Sequence, residues 1–169
     1  MAIYPIRTFG DPVLRLPTKP VAEIDDAVRV LVTDLIDTMY DAPGVGMAAN
    51  QIGVLRRVAV FDTQDELGPR ILINAELVET SGEWLYEEGC LSVPGHYWEI
   101  NRPGFARVRA LDLEGKEVEY AGDGILGRVL QHEIEHLGGG LLMDRLDKPA
   151  RKKALKDLRE EALGLASFE

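Results

Sequence analysis

The sequence predicts an α+β fold: mostly antiparallel sheets packed around a central helix that carries two histidines, with one helix before the sheets and another after them. Three observations carry this expectation. Apolar residues recur at helical spacing around residues 26–40 and again around 125–137. Between these stretches lies a succession of short strand-like runs broken by glycine and polar turns. The strands come in runs rather than alternating one by one with helices, which argues against a doubly wound sheet.

In chain order, Pro5, Pro12, Pro17 and Pro20 make the first twenty residues an extended, turn-rich wrap. Asp25 or Asp26 can cap the helix that follows, and Val28, Leu31, Val32, Leu35, Ile36, Met39 and Tyr40 give it one buried face. Gly44 to Gln51 reads as a turn after a helix. Its small residues let other groups approach the backbone, and Gln51 adds an amide donor. No Lys-Ser/Thr follows, so it is not a phosphate loop. Strands are expected at Arg57–Asp62 and Arg70–Val78, with shorter ones at Trp84–Leu85 and Tyr97–Ile100 around Cys90. Ala106–Leu113 and Val118–Tyr120 form a hairpin about Glu114-Gly115. The histidine helix ends at Gly138-Gly139-Gly140. A third helix is expected from Lys148 to Ser167, with Leu155, Leu158, Ala162 and Leu165 on one side.

The 169 residues suit a single catalytic domain, 1–169, with 148–169 as a helical tail. At 46% hydrophobic and 28% charged, the composition excludes extensive disorder. One cysteine excludes an internal disulfide framework. A formal charge of −10 opposes bulk nucleic-acid binding and gives no basis for specific DNA recognition. There is no signal-like apolar core and no run long enough to span a membrane. These features fit a soluble, cytoplasmic protein, in a bacterial-type cytosol rather than an organelle matrix.

The chemistry starts at His132-Glu133-Ile134-Glu135-His136. On a helix, histidines four apart lie on one face and can grip one metal ion, while Glu133 can serve a bound water as general base. A catalytic site of the zinc type needs a third protein ligand. The only cysteine, Cys90, sits among glycine, acid and serine in Glu88-Gly89-Cys90-Leu91-Ser92, which suits a thiolate ligand on a loop or strand end. The residues alone leave other readings open. A metallopeptidase shares the histidine motif, but Leu142 stands where one branch needs a third His, and another branch would need Glu160 or Glu161 as ligand. A closed structural site of Cys90, His132, His136 and His96 would have no catalytic role.

Taken together, the segments Gly44–Gln51, Glu88–Ser92 and Gln131–His136 resemble, in order, the three signatures of the peptide deformylase family: G-x-G-x-A-A-x-Q, E-G-C-L-S and Q-H-E-x-D-H. Gly10 to Arg15, and Gly139, Leu141, Asp144 and Arg145, extend the likeness over residues 4 to about 146. The resemblance implies metal-dependent hydrolysis of the N-formyl group from the first methionine of nascent polypeptides, with release of formate. It implies Cys90, His132 and His136 as metal ligands, Glu133 as the acid–base, and Gln51 with the Leu91 backbone N–H as donors to the oxyanion. Val45, Gly46 and Gly89 would hold the peptide main chain. Val45, Leu91, Ile125 and Val129 would form the methionine slot. Glu88 and Arg102 would pair beneath the site. The family's metal is ferrous iron, with zinc, nickel or cobalt able to replace it.

The resemblance also suggests ribosome contact through Lys148, Arg151, Lys152, Lys153, Lys156 and Arg159 of the tail. Two positions depart from the pattern. Glu135 stands where the family usually has Asp, and Arg128 stands where an apolar pocket residue is more usual.

Overall fold

The computed structural model describes residues 2–165. The N-terminal wrap contains one short 3-10 turn, Pro12–Arg15, capped by the Asp11 side chain. Helix α1 spans Asp26–Asp41, and Asp25 is the cap, accepting the Val28 N–H at 2.9 Å. Strands follow at β1 (Gly46–Ala48), β2 (Val58–Phe61), β3 (Arg70–Ser81), β4 (Trp84–Gly89), β5 (Tyr97–Arg102), β6 (Phe105–Leu111) and β7 (Glu117–Gly122). Helix α2 spans Gly124–Leu137, and α3 spans Lys148–Ala162.

Among the described residues the named strands pair antiparallel throughout, and Lys19 and Arg56 form an isolated parallel bridge. One sheet runs β1-β2-β3-β6-β7, and β4 and β5 form a separate ribbon. The larger sheet lies between α1 and α2, and period-two alternation decides which side chain meets which helix. Met47, Val58, Val60 and Ile73 face α1, where they pack with Val28, Leu31, Val32, Leu35 and Met39. Their neighbours Ala48, Ala59, Phe61 and Leu72 face α2, packing with Val129, Leu130 and Leu137. Covered on both faces, β2 is apolar throughout, Val-Ala-Val-Phe. Leu130 is fully buried in this layer, so Leu130→Ala would cost about 2–5 kcal/mol. A third cluster joins Leu14, Val93, Leu141, Met143 and Leu158, and ties α3 to the loop after Cys90.

The sheet differs from the sequence expectation in three ways. The glycine segment is a short strand, β1, followed by a 3-10 turn at Ala49–Ile52. Its partner β2 supplies the ladder that Gly46-Met47-Ala48 alone does not predict. β3 runs to Ser81 instead of Val78, because its polar half pairs with β6. β4 and β5 reach Gly89 and Arg102, which brings Glu88 and Arg102 into the ribbon.

The C-terminal helix is shorter than expected. It stops at Ala162, Gly164 has φ +68°, and Leu165 is exposed; the last two residues of the expected helix, 166 and 167, lie outside the described residues. Among the described residues no helix is long and apolar enough to cross a membrane.

Two features aim the fold at its site. Among the described residues β1 is an edge of the larger sheet, β4 pairs only with β5, and residues of both strands line one cavity. α2 ends where the sequence puts glycines. The Gly139 N–H bonds the His136 carbonyl at 2.9 Å, and Gly139 takes φ +82° with Arg15 O only 2.6 Å from where a Cβ would sit. Neither an L side chain nor its volume fits there, so the N-terminal wrap closes over the end of the helix.

Candidate metal centre and active site

The α2 helix delivers His132 and His136 one turn apart, with ring centroids 4.8 Å from each other. Cys90 follows directly after β4. Cys90 Sγ lies 3.2 Å from His136 Nε2, and the two histidine Nε2 atoms lie 3.1 Å apart. Ligand atoms of all three residues fall within 4.8 Å of one another. For a tetrahedral ion at ordinary metal–nitrogen and metal–sulfur distances, adjacent ligand atoms are roughly 3.3–3.6 Å apart, so slight spreading would fit one.

The surroundings favour a cation at this point. His132 Nδ1 bonds Glu88 Oε1 at 2.6 Å, which turns Nε2 toward the triad. Glu133 Oε2 and His136 Nδ1 are buried without a hydrogen-bond partner, leaving polar demand unmet. Burial alone would push the Cys90 thiol up, yet the imidazoles of His136 and His132 hold it well below the ordinary range. Burial would depress His132, but the Cys90 thiolate beside it raises it well above the ordinary value. The result is a thiolate facing an imidazolium, and a divalent ion entering the triad would replace that proton.

Glu133 is 2% exposed, and its carboxyl is pushed up to about 7, chiefly by burial. Such a group can take and return a proton near neutrality. Gly46 in β1 makes room for it, since a Cβ there would run into Glu133 Oε1 and come within 2.9 Å of Val129 Cγ2. Gln51 is buried in the 3-10 turn after β1. Its Oε1 accepts the Ala48 N–H at 2.9 Å, so its Nε2 faces Ser92 Oγ at 3.1 Å and Cys90 Sγ at 3.9 Å.

Beneath the triad lies a buried ionic network. Glu88 Oε1 accepts from His132 Nδ1 and from Arg102 Nη2 at 2.7 Å, while Oε2 accepts from Arg102 Nε at 2.9 Å and Arg128 Nη1 at 2.7 Å. Burial opposes ionisation of Glu88, but the bonds from His132 and Arg102 hold it well below the usual carboxylate range. Arg102 Nη1 also pairs with Glu135 Oε1 at 2.8 Å, and Arg145 closes on the same carboxylate. Arg128 donates to the Ile100 and Trp84 carbonyls, and its guanidinium lies 4.8 Å from the Trp84 ring centroid and 5.4 Å from that of Tyr86.

A cavity of about 450 Å³ opens over the triad. Val45, Gly46, Gln51, Glu88, Gly89, Cys90, Leu91, Ile125, Val129, His132 and Glu133 line it, so the residues singled out in the sequence meet at one place. Arg102 is the exception among the expected substrate residues. It is 1% exposed, sits behind Glu88, and is absent from the cavity wall. Pairing two guanidinium groups with one carboxylate explains that depth.

Some contributors were not read from the sequence. Arg128 lines the cavity as the second cation on Glu88. Asn50 donates to the His136 carbonyl at 2.5 Å and anchors the end of α2; its place beside Gln51 was the only available signal. His96 is partly covered. It stacks on Trp98 and bonds Glu161 at 2.6 Å, so neither residue joins the triad, while Glu160 pairs with Lys156 on the tail surface.

With this geometry in place, comparisons give a consistent answer. The polypeptide deformylase family model matches residues 3–152. The peptide deformylase of Cellvibrio japonicus is 45% identical over 164 residues, covering 95% of this chain and 96% of the relative. That of Caldanaerobacter subterraneus is 46% identical over 160 residues, covering 95% and 99%. The crystal structure of a peptide deformylase from Legionella pneumophila superposes with a TM-score of 0.89 at 42% identity, covering 98% of this chain and 99% of that one. The Ehrlichia chaffeensis peptide deformylase in complex with actinonin gives 0.89 at 36% identity, covering 95% and 98%.

Proposed function

The chain belongs to the polypeptide deformylase family, and from that premise we propose that it removes the formyl group from N-formyl-methionine at the start of nascent polypeptides by metal-dependent hydrolysis, releasing formate. The observation that carries the mechanism is the meeting of Cys90, His132 and the buried His136 at one point, with Cys90, His132 and Glu133 on the cavity wall. Cys90, His132 and His136 would hold a divalent ion, which would supply Lewis acidity and lower the pKa of water at the site.

The chain's own groups do the rest. Glu133 takes the proton from the attacking water and passes it to the departing amine nitrogen. Gln51 Nε2 and the Leu91 backbone N–H donate to the charge that develops on the formyl oxygen, and losing one such donor costs about 10²–10³ in rate. Val45, Gly46 and Gly89 hold the peptide main chain as an extended strand between the edges of β1 and β4. Ile125, Val129, Val45 and Leu91 receive the methionine side chain. Glu88 orients His132, and Arg102 and Arg128 keep Glu88 ionised, so the three act by positioning the histidine.

Ferrous iron is the metal we assign in cells, with zinc, nickel and cobalt able to substitute in a Cys/His/His set. We read the chain as one catalytic domain working in the cytosol, with the basic face of α3 contacting the ribosome. That face is partly neutralised at Arg151–Asp144 and Lys153–Asp157, so salt should weaken the contact readily. The deciding experiment is formate release from formyl-Met-Ala-Ser by the wild type and Glu133→Ala, with bound metal measured in both. We expect turnover only in the wild type and metal in both; a metal-loaded wild type that releases no formate would remove this reading.

A further inference from the structure

Residues 10–15, part of the family likeness, are absent from the cavity wall. Yet the stretch 7–18 around them bonds every segment that carries the site. The Arg7 N–H donates to the Gln51 carbonyl at 2.7 Å, and the Phe9 N–H donates to the Ser92 carbonyl at 2.8 Å. Thr18 is buried and gives both its N–H, at 2.9 Å, and its Oγ1 hydroxyl, at 2.8 Å, to the Leu137 carbonyl at the end of α2. That carbonyl is one of the last four in its helix, which have no partner inside it. One short length of chain thus holds the Gln51 turn, the Cys90 loop and the end of the histidine helix.

Arg7 and Phe9 are two residues apart. An extended chain between them spaces their N–H groups by about 6.5–7 Å and turns both to one side. The two acceptors also meet in front, where Gln51 Nε2 donates to Ser92 Oγ at 3.1 Å. The Gln51 turn and the Cys90 loop are therefore pinned twice, by side chains on the site side and by main chain behind. Each point of attachment has its own support. The Arg7 guanidinium lies 3.0–3.3 Å from where a Cβ would sit on Gly53, at the end of the Gln51 turn, and it pairs with Asp11 at 3.1 Å. Phe9 packs on the cluster of Leu14 and Val93, where Cys90 also packs. The Asp11 N–H returns to the Thr8 carbonyl at 3.1 Å, with Gly10 at φ +100°. Thr8 to Asp11 is thus a turn with a left-handed third residue, a type that favours proline at its second position, here Phe9.

We propose that residues 7–9 are a positioning brace for the reaction, setting the separation of the two loops that bring the Gln51 amide and the Leu91 N–H to the developing oxyanion. The bonds reach the residue that carries one donor and the residue after the other. Such donors act only where charge develops, so a small shift of one loop lowers kcat and leaves KM in place. This inference rests on the deformylase reading given above.

The test sets Phe9→Pro against Phe9→Ala. Both lose the ring; only the proline, which suits its place in the turn, also loses the N–H to Ser92. Turnover of formyl-Met-Ala-Ser is measured on metal-loaded protein with bound metal determined, and hydrogen exchange at the Leu91 and Ser92 amides is followed by NMR on the zinc form. We expect kcat in Phe9→Pro about 10-fold below that in Phe9→Ala, at equal bound metal and similar KM, with faster exchange at both amides. Arg7→Ala, at an exposed position that tolerates the change, should lose about threefold in kcat, with part recovered in Arg7→Lys. Equal kcat and equal exchange in the two Phe9 variants would overturn the proposal and leave the deformylase reading intact. So would a kcat loss accounted for by lost metal, or, where Phe9→Pro does not fold, an Arg7→Ala kcat equal to wild type. Absence of turnover by the metal-loaded wild type would overturn that reading and the proposal with it.

Discussion

Replacing Glu88 by Gln changes one atom and strikes the network beneath the Cys90–His132–His136 cluster. Glu88 accepts four hydrogen bonds on two oxygens, from His132, Arg102 twice, and Arg128. A glutamine can keep only one oxygen. If that oxygen stays on His132 Nδ1, the new NH₂ points at Arg102 Nε and Arg128 Nη1, donor against donor. Two charge-assisted bonds are lost at about 1.5–3 kcal/mol each, and breaking a buried ion pair costs about 3–5 kcal/mol.

Arg102 retains Glu135, and Arg128 retains the carbonyls of Ile100 and Trp84, which limits the damage. The net expectation is a loss of about 3 kcal/mol, or about 1–2 M in the urea midpoint. Metal affinity, measured by competition with a chelator, should fall about 10- to 100-fold because His132 is less firmly oriented. The pH dependence has a definite sign. Folding holds Glu88 ionised well below its unfolded value of 4.5, so its contribution is complete above pH 4.5 and lost as pH falls further. Glu88→Gln should flatten that acid limb. A urea midpoint moved by less than about 0.3 M, with chelator competition unchanged, would refute the reasoning.

Gly46→Ala should keep its metal but lose about 10²-fold in kcat, since the added methyl displaces Glu133; unchanged kcat would show that the carboxylate has slack. Tyr40 donates to Asp62 at 2.5 Å, and this bond, aided by slight burial, pushes its phenol up to about 12. Its stabilisation is therefore complete below pH 10 and lost as pH rises through about 12, and a wild-type minus Tyr40→Phe phenolate titration centred near 10 would contradict it. Leu158→Ala should cost about 2–4 kcal/mol through the cluster with Leu14, Val93 and Met143, measurable by denaturation. Iron beside the Cys90 thiolate should make specific activity higher after purification under argon than in air, whereas equal activities would indicate zinc.

Much of the molecule was legible because local pattern and tertiary demand agree. The periodic apolar positions of α1 and α2 are those that cover the two faces of the sheet. The meeting of Cys90, His132 and His136 was legible because the two histidines share a helix turn and the chain has one cysteine. What escaped depends on partners distant in the chain. β1 has no alternation to read and exists through β2. The charged Glu87-Glu88 pair does not look like strand interior, yet the ribbon buries Glu88 and leaves Glu87 in solvent. Arg128 looked like a departure from an apolar pocket. Its place on Glu88, 40 residues away in sequence and roughly 130–145 Å along an extended chain, emerges only when α2 crosses the ribbon.

The open edges of β1 and β4 have a cost in solution. Unsatisfied strand edges invite neighbouring molecules to pair, and proteins ordinarily blunt them with prolines, bulges or lysines. A groove that must admit a guest strand cannot use those guards without obstructing the guest. Here the exposed edges are short, β1 being three residues long and β4 six, and β4 carries the exposed acid Glu87. Crowded, unliganded protein should consequently aggregate first along this groove, and a bound peptide should act as its protectant.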